Sequence, residues 1–280
     1  MPNRRVRQLR RLLFLFVPLA LFLVWTIAPI YWILITALKP TREAFTFPLQ
    51  YYPHHPTLAN FHSIFTSTNM AVNFRNSAIV SIGATFALTA IIAIAGYGYS
   101  RFRLKGKHLI LLLFLSTQML PQIMLVLPLF VMFNAMGILD SHGTLILSYV
   151  TILLPFSTFL MMGFYQSIPH SLDEAAMIDG CTRFQALVKV ILPLALPGLA
   201  ASATFGFINA WNELIFALMF INRGELLTVP PVLVAMNNEY ITQFSWIAAA
   251  GVIALVPVMI VFGFAQRYLT GGLTVGALKG

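Results

Sequence analysis

The sequence is poor in charge and nearly devoid of cysteine. Charged residues make up only 9% of its 280 positions, against about 25% in a soluble domain. A chain that is 59% hydrophobic, with mean hydropathy +0.85, has no water-soluble fold able to hide that surface. The class is therefore integral membrane. The single cysteine, Cys181, excludes an internal disulfide and leaves thiol and metal chemistry without support. No Gly-x-x-x-x-Gly-Lys-Ser/Thr stretch occurs, so any ATP–Mg must be handled by a partner and no cofactor is expected on this chain. No relay of acidic and basic groups threads the apolar runs, which argues against a secondary carrier. A nucleophile–base set for an intramembrane enzyme is also lacking. Asp173, Glu174 and Asp179 form the one acidic cluster that a lipid-linked glycosyltransferase would need. On a helix, however, Asp173 and Glu174 diverge by about 100° and make no metal site.

What the sequence has instead is long apolar runs. Helices and closed barrels alone satisfy the backbone in lipid, and uninterrupted runs select helices. Six spans are expected, at about 12–38, 72–100, 108–136, 143–166, 195–221 and 244–269. A basic segment, 1–11, precedes them, and a tail, 270–280, follows. The basic start resembles a signal peptide, but its apolar run reaches Leu38 without a small-residue cleavage site, which favours a retained first helix. The formal charge of +9 sits beside the spans and speaks for membrane orientation, not nucleic acid. With the N-terminus inside, 13 Lys and Arg residues fall on the inner side and 4 on the outer. That asymmetry predicts N-in and C-in, with the 167–193 loop in the cytoplasm. The outer connections are 39–71, rich in proline, and 222–243.

Within the fifth span, Asn209, Asn212 and Glu213 are expected to share one helical face. They either hydrogen-bond to neighbouring helices or line a solute path. Trp211 points elsewhere, as an interface anchor would. Prolines 18, 29, 121, 128, 155 and 257 permit kinks, and Pro121 with Pro128 predicts a bent third span.

The 167–193 loop reads as two short helices. Ser171 and Glu174 have capping-box spacing, Gly180 suits a left-handed helix end, and Thr182 with Gln185 opens a second capped helix that runs into Leu192-Pro193. The first helix carries the small residues Ala175 and Ala176 and exposes Met177 and Ile178, as a docking surface would. The second is expected to fold back on the protein's own helix ends.

Glu174-Ala175-Ala176, Asp179-Gly180 and Ile191-Leu192-Pro193, at this spacing, resemble the EAA loop of binding-protein-dependent ABC importer permeases. Asn76-Ser77, Ser100-Arg101-Phe102, Trp211-Asn212-Glu213 and the Gly-rich ending at Gly280 are similar to the carbohydrate-uptake branch, most of all the smaller maltose-type permease subunit. The resemblance implies an all-α type I importer permease in the bacterial plasma membrane, and transport rather than catalysis. It implies a second permease subunit, two cytoplasmic ATPase subunits that use ATP–Mg, and an extracytoplasmic solute-binding protein. Ser171, Asp173, Glu174, Ala175, Ala176, Met177, Asp179 and Gly180 would then form a coupling helix against the ATPase, with Leu278, Lys279 and Gly280 as secondary contacts. A permease for a non-sugar solute such as glycerol phosphate is the alternative within the same family.

Overall fold

A computed structural model describes residues 4–44, 46–103, 105–239 and 244–277, and every regular element among them is helical. Leu278, Lys279 and Gly280 lie outside the described residues. The chain divides into two compact units, one formed by 1–70 with 233–254, the other by 71–232 with 255–280.

In the first unit, α1 (Arg4–Leu38) is apolar from Leu12 onward. None of its most apolar stretch is buried, as befits a helix whose solvent is lipid. Pro18 and Pro29 lie inside it without ending it. The connection after it is not featureless, because α2 (Ala59–Ser67) forms there. Asn60 Nδ2 donates to the carbonyls of Ala37 (2.7 Å) and Lys39 (2.8 Å), which satisfies part of the orphaned end of α1. Lys39 is buried, lying over the Trp32 ring with its ammonium on the Gln50 carbonyl.

The second unit is built on α3 (Met70–Arg101), α6 (His142–Gln166) and α10 (Leu196–Trp211). Small residues let these helices approach closely, the usual device where both partners are apolar. A Cβ built on Gly198 of α10 would stand 2.3 Å from Phe164 Cγ of α6. The expected third span is broken, not merely bent. Helix α4 (Lys107–Ser116), with a 3-10 turn to Met119, meets α5 (Gln122–Ala135) at 98°. Pro121 sits at the break, lacking the N–H that continuation requires, whereas Pro128 is accommodated inside α5.

The end of this unit where α3 begins is clasped by polar groups. Asn73 Nδ2 and Asn76 Nδ2 donate to the Leu227 carbonyl (2.9 and 3.1 Å), Asn76 Nδ2 also to that of Glu225 (2.8 Å), and Ser77 Oγ accepts from Val229 N–H (2.8 Å). Asp140, in the left-handed region at φ 54°, accepts from the backbone N–H groups of Asn222 and Arg223. The Asn222 bond is the main reason its carboxyl titrates below the ordinary value. The expected 222–243 loop therefore holds structure, including α12 (Val229–Glu239). A last long helix, α13 (Phe244–Ala277), contains Pro257 without breaking.

Candidate functional site: a capped loop helix and a polar cavity

The loop between α6 and α10 forms α7 (Ser171–Ile178), α8 (Arg183–Ala186), a wide π-type turn at Leu187–Ile191, and α9 (Leu192–Leu194). The expected capping box at Ser171 and Glu174 is absent. Backbone bonds already run from Leu172 N–H to the Pro169 carbonyl and from Asp173 and Glu174 N–H to that of His170. The turn thus starts two residues early, at a proline whose fixed φ suits a helix start, and Ser171 is no longer at the cap position. The other expected signals formed. Thr182 and Gln185 make both halves of a capping box. Gly180 has φ +87°, with Cys181 N–H on the Ala176 carbonyl (3.0 Å) and Gly180 N–H on that of Met177 (3.1 Å). That pair of bonds is a Schellman closure, and it needs the left-handed glycine.

Helix α7 has two faces. Asp173 and Ala176 point inward, while Ser171, Glu174, Ala175, Met177, Ile178 and Asp179 are exposed, Ile178 at 85%. Any partner that meets this helix meets the second set. Asp173 is instead paired inside the unit. Its Oδ2 lies 2.8 Å from Arg101 Nε, an ion pair without hydrogen-bond alignment, and its Oδ1 accepts from Tyr97 O–H at 2.7 Å. The sequence reading missed Arg101 and Tyr97. Arg101 opens a basic run with Arg103, Lys105 and Lys107 that reads as orientation charge, and nothing in its spacing points 72 residues ahead. The second helix behaves partly as expected: Ala186, Leu187 and Ile191 are buried, but Phe184 and Val188 remain exposed. The stretch Arg183–Leu194 meets α10 at 79°, with Pro193 and Pro197 on either side of the corner.

The expected polar stripe does not exist as a helical face. Helix α10 stops at Trp211, and α11 (Ile215–Phe220) starts after a three-residue break. Asn209 and Asn212 each turn their amide onto the carbonyl four residues back (2.8 and 2.9 Å). Glu213 caps α11, accepting from Phe216 N–H (2.9 Å) and Ala217 N–H (3.2 Å). A carboxylate at that end also complements the helix dipole. Trp211 is no interface anchor, being buried with Phe207 stacked against it at 5.7 Å and Phe74 edge-on at 5.3 Å.

The break nevertheless gathers the three residues around one cavity of about 370 Å³. Gln122, just after the Pro121 break, and Tyr149 of α6 join them there. The Tyr149 hydroxyl is buried and faces the Glu213 carboxylate across this cavity. Neither residue was foreseen, because one lies in a different broken span and the other in an ordinary apolar run. A volume of this size, mostly apolar with a few convergent polar groups, suits a small polar solute.

Residues 87–275 match the family described as binding-protein-dependent transport system inner membrane component. The chain belongs to this family. Among similar proteins is the sulfoquinovosyl glycerol transport system permease protein SmoH of Agrobacterium fabrum, 38% identical over 95% of this chain and 93% of its own. The trehalose/maltose transport system permease protein MalG of Thermococcus litoralis is 33% identical over 99% of both. In structure the permease resembles a chain of a bacterial ABC transporter involved in the import of the acidic polysaccharide alginate, with TM-score 0.79 at 20% identity, covering 96% of this chain and 99% of that one. The permease is thus a multi-pass inner-membrane transport subunit and not an enzyme; ATP hydrolysis belongs to a partner subunit of the transporter.

Proposed function

We propose that this permease forms part of the transmembrane path for a sugar or oligosaccharide, and that α7 carries the work of ATP hydrolysis to it. The sugar reading rests on the relatives, which serve sulfoquinovosyl glycerol and trehalose or maltose. The single observation behind the coupling reading is the outward face of α7, apolar and acidic together, on a helix closed by a Schellman turn. A helix ended so firmly moves as one body. Two ATPase subunits would seat the EAA loops of this chain and of a second permease subunit, while an extracytoplasmic binding protein delivers the solute. Closure of the ATPases would then tilt the spans attached to α7 and exchange inward for outward access. Six crossings follow if each broken pair counts as one, with 1–11, the 167–193 loop and 270–280 inside. The cavity at Asn209, Asn212 and Glu213 lies on the solute path.

Uptake of labelled oligosaccharides by cells with and without this chain tests the sugar reading. A cysteine at Ala175, in a Cys181→Ser background, tests the coupling reading and should crosslink to the ATPase subunit; a crosslink to no nucleotide-hydrolysing partner would sink it.

Two substitutions probe the helix itself. Glu174→Gln removes a charge from an exposed first turn, which costs α7 about 0.3–1 kcal/mol of dipole stabilisation. Membrane insertion should be normal and ATP-driven uptake lost; wild-type uptake would refute a charge pair with the ATPase. Gly180→Val forces a β-branched residue to φ +87°, at a strain of about 1–3 kcal/mol. No other group lies within 4 Å of a Cβ there, so the strain is in the backbone alone. Uptake should fall in the order Gly, Asn, Ala, Val, since Asn tolerates this region best after Gly. Equal uptake by the Asn and Val variants would exclude the closure as the cause.

A further inference from the structure

We infer that Arg101 is a positioning residue that fixes α7 to α3 and α6, so that the three move together. The inference rests on α7 being the ATPase contact, but the observations behind it are independent of that reading. Arg101 is the last residue of α3, and its side chain is only 4% exposed. Its guanidinium is divided between two other elements. Nη1 donates to the Tyr165 carbonyl in the last turn of α6 and Nη2 to that of Ile168 just past its end, both at 3.0 Å. Nε faces Asp173 in the first turn of α7.

These are the places where helices leave backbone groups unsatisfied. The cation sits at the negative end of α6, and the carboxylate it holds sits at the positive end of α7. One group therefore bridges the outgoing end of one helix and the incoming end of the next, from a third. Tyr97, one turn earlier on α3, completes the arrangement by donating to the other Asp173 oxygen. Its ring meets the Tyr165 ring edge-on at 5.8 Å, and Tyr165 O–H donates back to the Ala93 carbonyl of α3 at 2.9 Å. A displacement of α7 alone would part Asp173 from both Arg101 and Tyr97, breaking a buried ion pair and stranding the tyrosine hydroxyl, while Arg101 stays held to the end of α6; α7 is therefore expected to move together with α3 and α6. Lysine keeps the charge but not the fork, and cannot hold all three groups at once.

The test uses the whole transporter reconstituted in lipid, with spin labels at Ser171→Cys and Ile79→Cys in the Cys181→Ser background. In the parent, the distance between these labels should be narrowly distributed and the same in the nucleotide-free and ATP–vanadate-trapped states. In Arg101→Lys the distribution should become roughly twofold broader, or shift on trapping. Tyr97→Phe, which removes one bond and strands no charge, should do the same to a smaller degree. A control pair, Ile79→Cys with Leu196→Cys, should keep its parental distribution in both variants. An unchanged 171–79 distribution in both variants would overturn the inference, as would a parental distance that already changes on trapping. Broadening of the control pair to the same extent would mean that Arg101 merely supports the fold, and would overturn it too. The Ala175→Cys crosslink separates the two readings. If it fails in the parent, the coupling reading falls; if it persists in Arg101→Lys while the label pair loosens, both stand.

Discussion

Replacing Asp173 by alanine is expected to deplete the folded permease from the membrane. The substitution leaves the Arg101 guanidinium in a site where its side chain is 4% exposed, with no counter-charge. Breaking one side of a buried pair costs about 3–5 kcal/mol, mostly because the remaining charge is stranded. Tyr97 also loses its acceptor. Removing both charges leaves no unpaired charge, although the Tyr165 and Ile168 carbonyls and the Tyr97 hydroxyl lose their partners, so Arg101→Met combined with Asp173→Leu should recover part of the lost protein. The amount of monodisperse permease surviving graded heating in detergent is the measurement. An alanine variant as heat-resistant as the parent would show that the pair is hydrated and weak. The double variant has a second use, since it should fold and still fail to couple ATP hydrolysis to uptake. Stability and mechanism would then be separated at one site.

Gly198→Leu is expected to be the most damaging change on the face between α6 and α10. Even a methyl at this position would lie 2.3, 2.6 and 2.7 Å from Phe164 Cγ, Cδ2 and Cβ. Such distances cannot be relieved by a rotamer change of the new side chain, so one helix must move. Overpacking of this kind costs about 1–3 kcal/mol and sometimes more. Leucine, with four added carbons, belongs at the upper end. Gly198→Ala should be milder, and adding Phe164→Ala should recover part of its loss, because the ring is gone while the close Cβ remains. The same heating assay reads all three variants. Equal survival of the Ala and Leu variants would mean that the two helices already slide apart freely.

That the chain is built of long apolar helices was legible in the sequence because lipid demands them and composition reports them. Helix closures written in adjacent residues were legible as well: Gly180 and the Thr182–Gln185 pair formed as expected. The failures share a cause. Ser171 lost the cap position because Pro169, outside the four-residue pattern, opened the turn first. The Asn209–Glu213 stripe assumed a continuous helix, and periodicity does not register a break at which the Glu213 carboxylate takes the Phe216 and Ala217 N–H groups that a continuing helix would bond. Arg101 with Asp173, and Tyr149 with the cavity, depend on contacts between distant segments, which no local spacing encodes. Trp211 illustrates the same point from the apolar side, since its environment is set by Phe74 far upstream.

Helix α3 is held near its start by Asn73, Asn76 and Ser77 and at its finish by Arg101. From Asn76 to Arg101 the axis runs about 38 Å. A rod pinned at two such distant points behaves as a crankshaft: a small rotation imposed at its Arg101 journal is expected to appear as a swing of the 225–229 segment at the other end. If α7 answers to the nucleotide state, as proposed, that swing would carry the news to the opposite end of the helix without any group having to travel through the lipid.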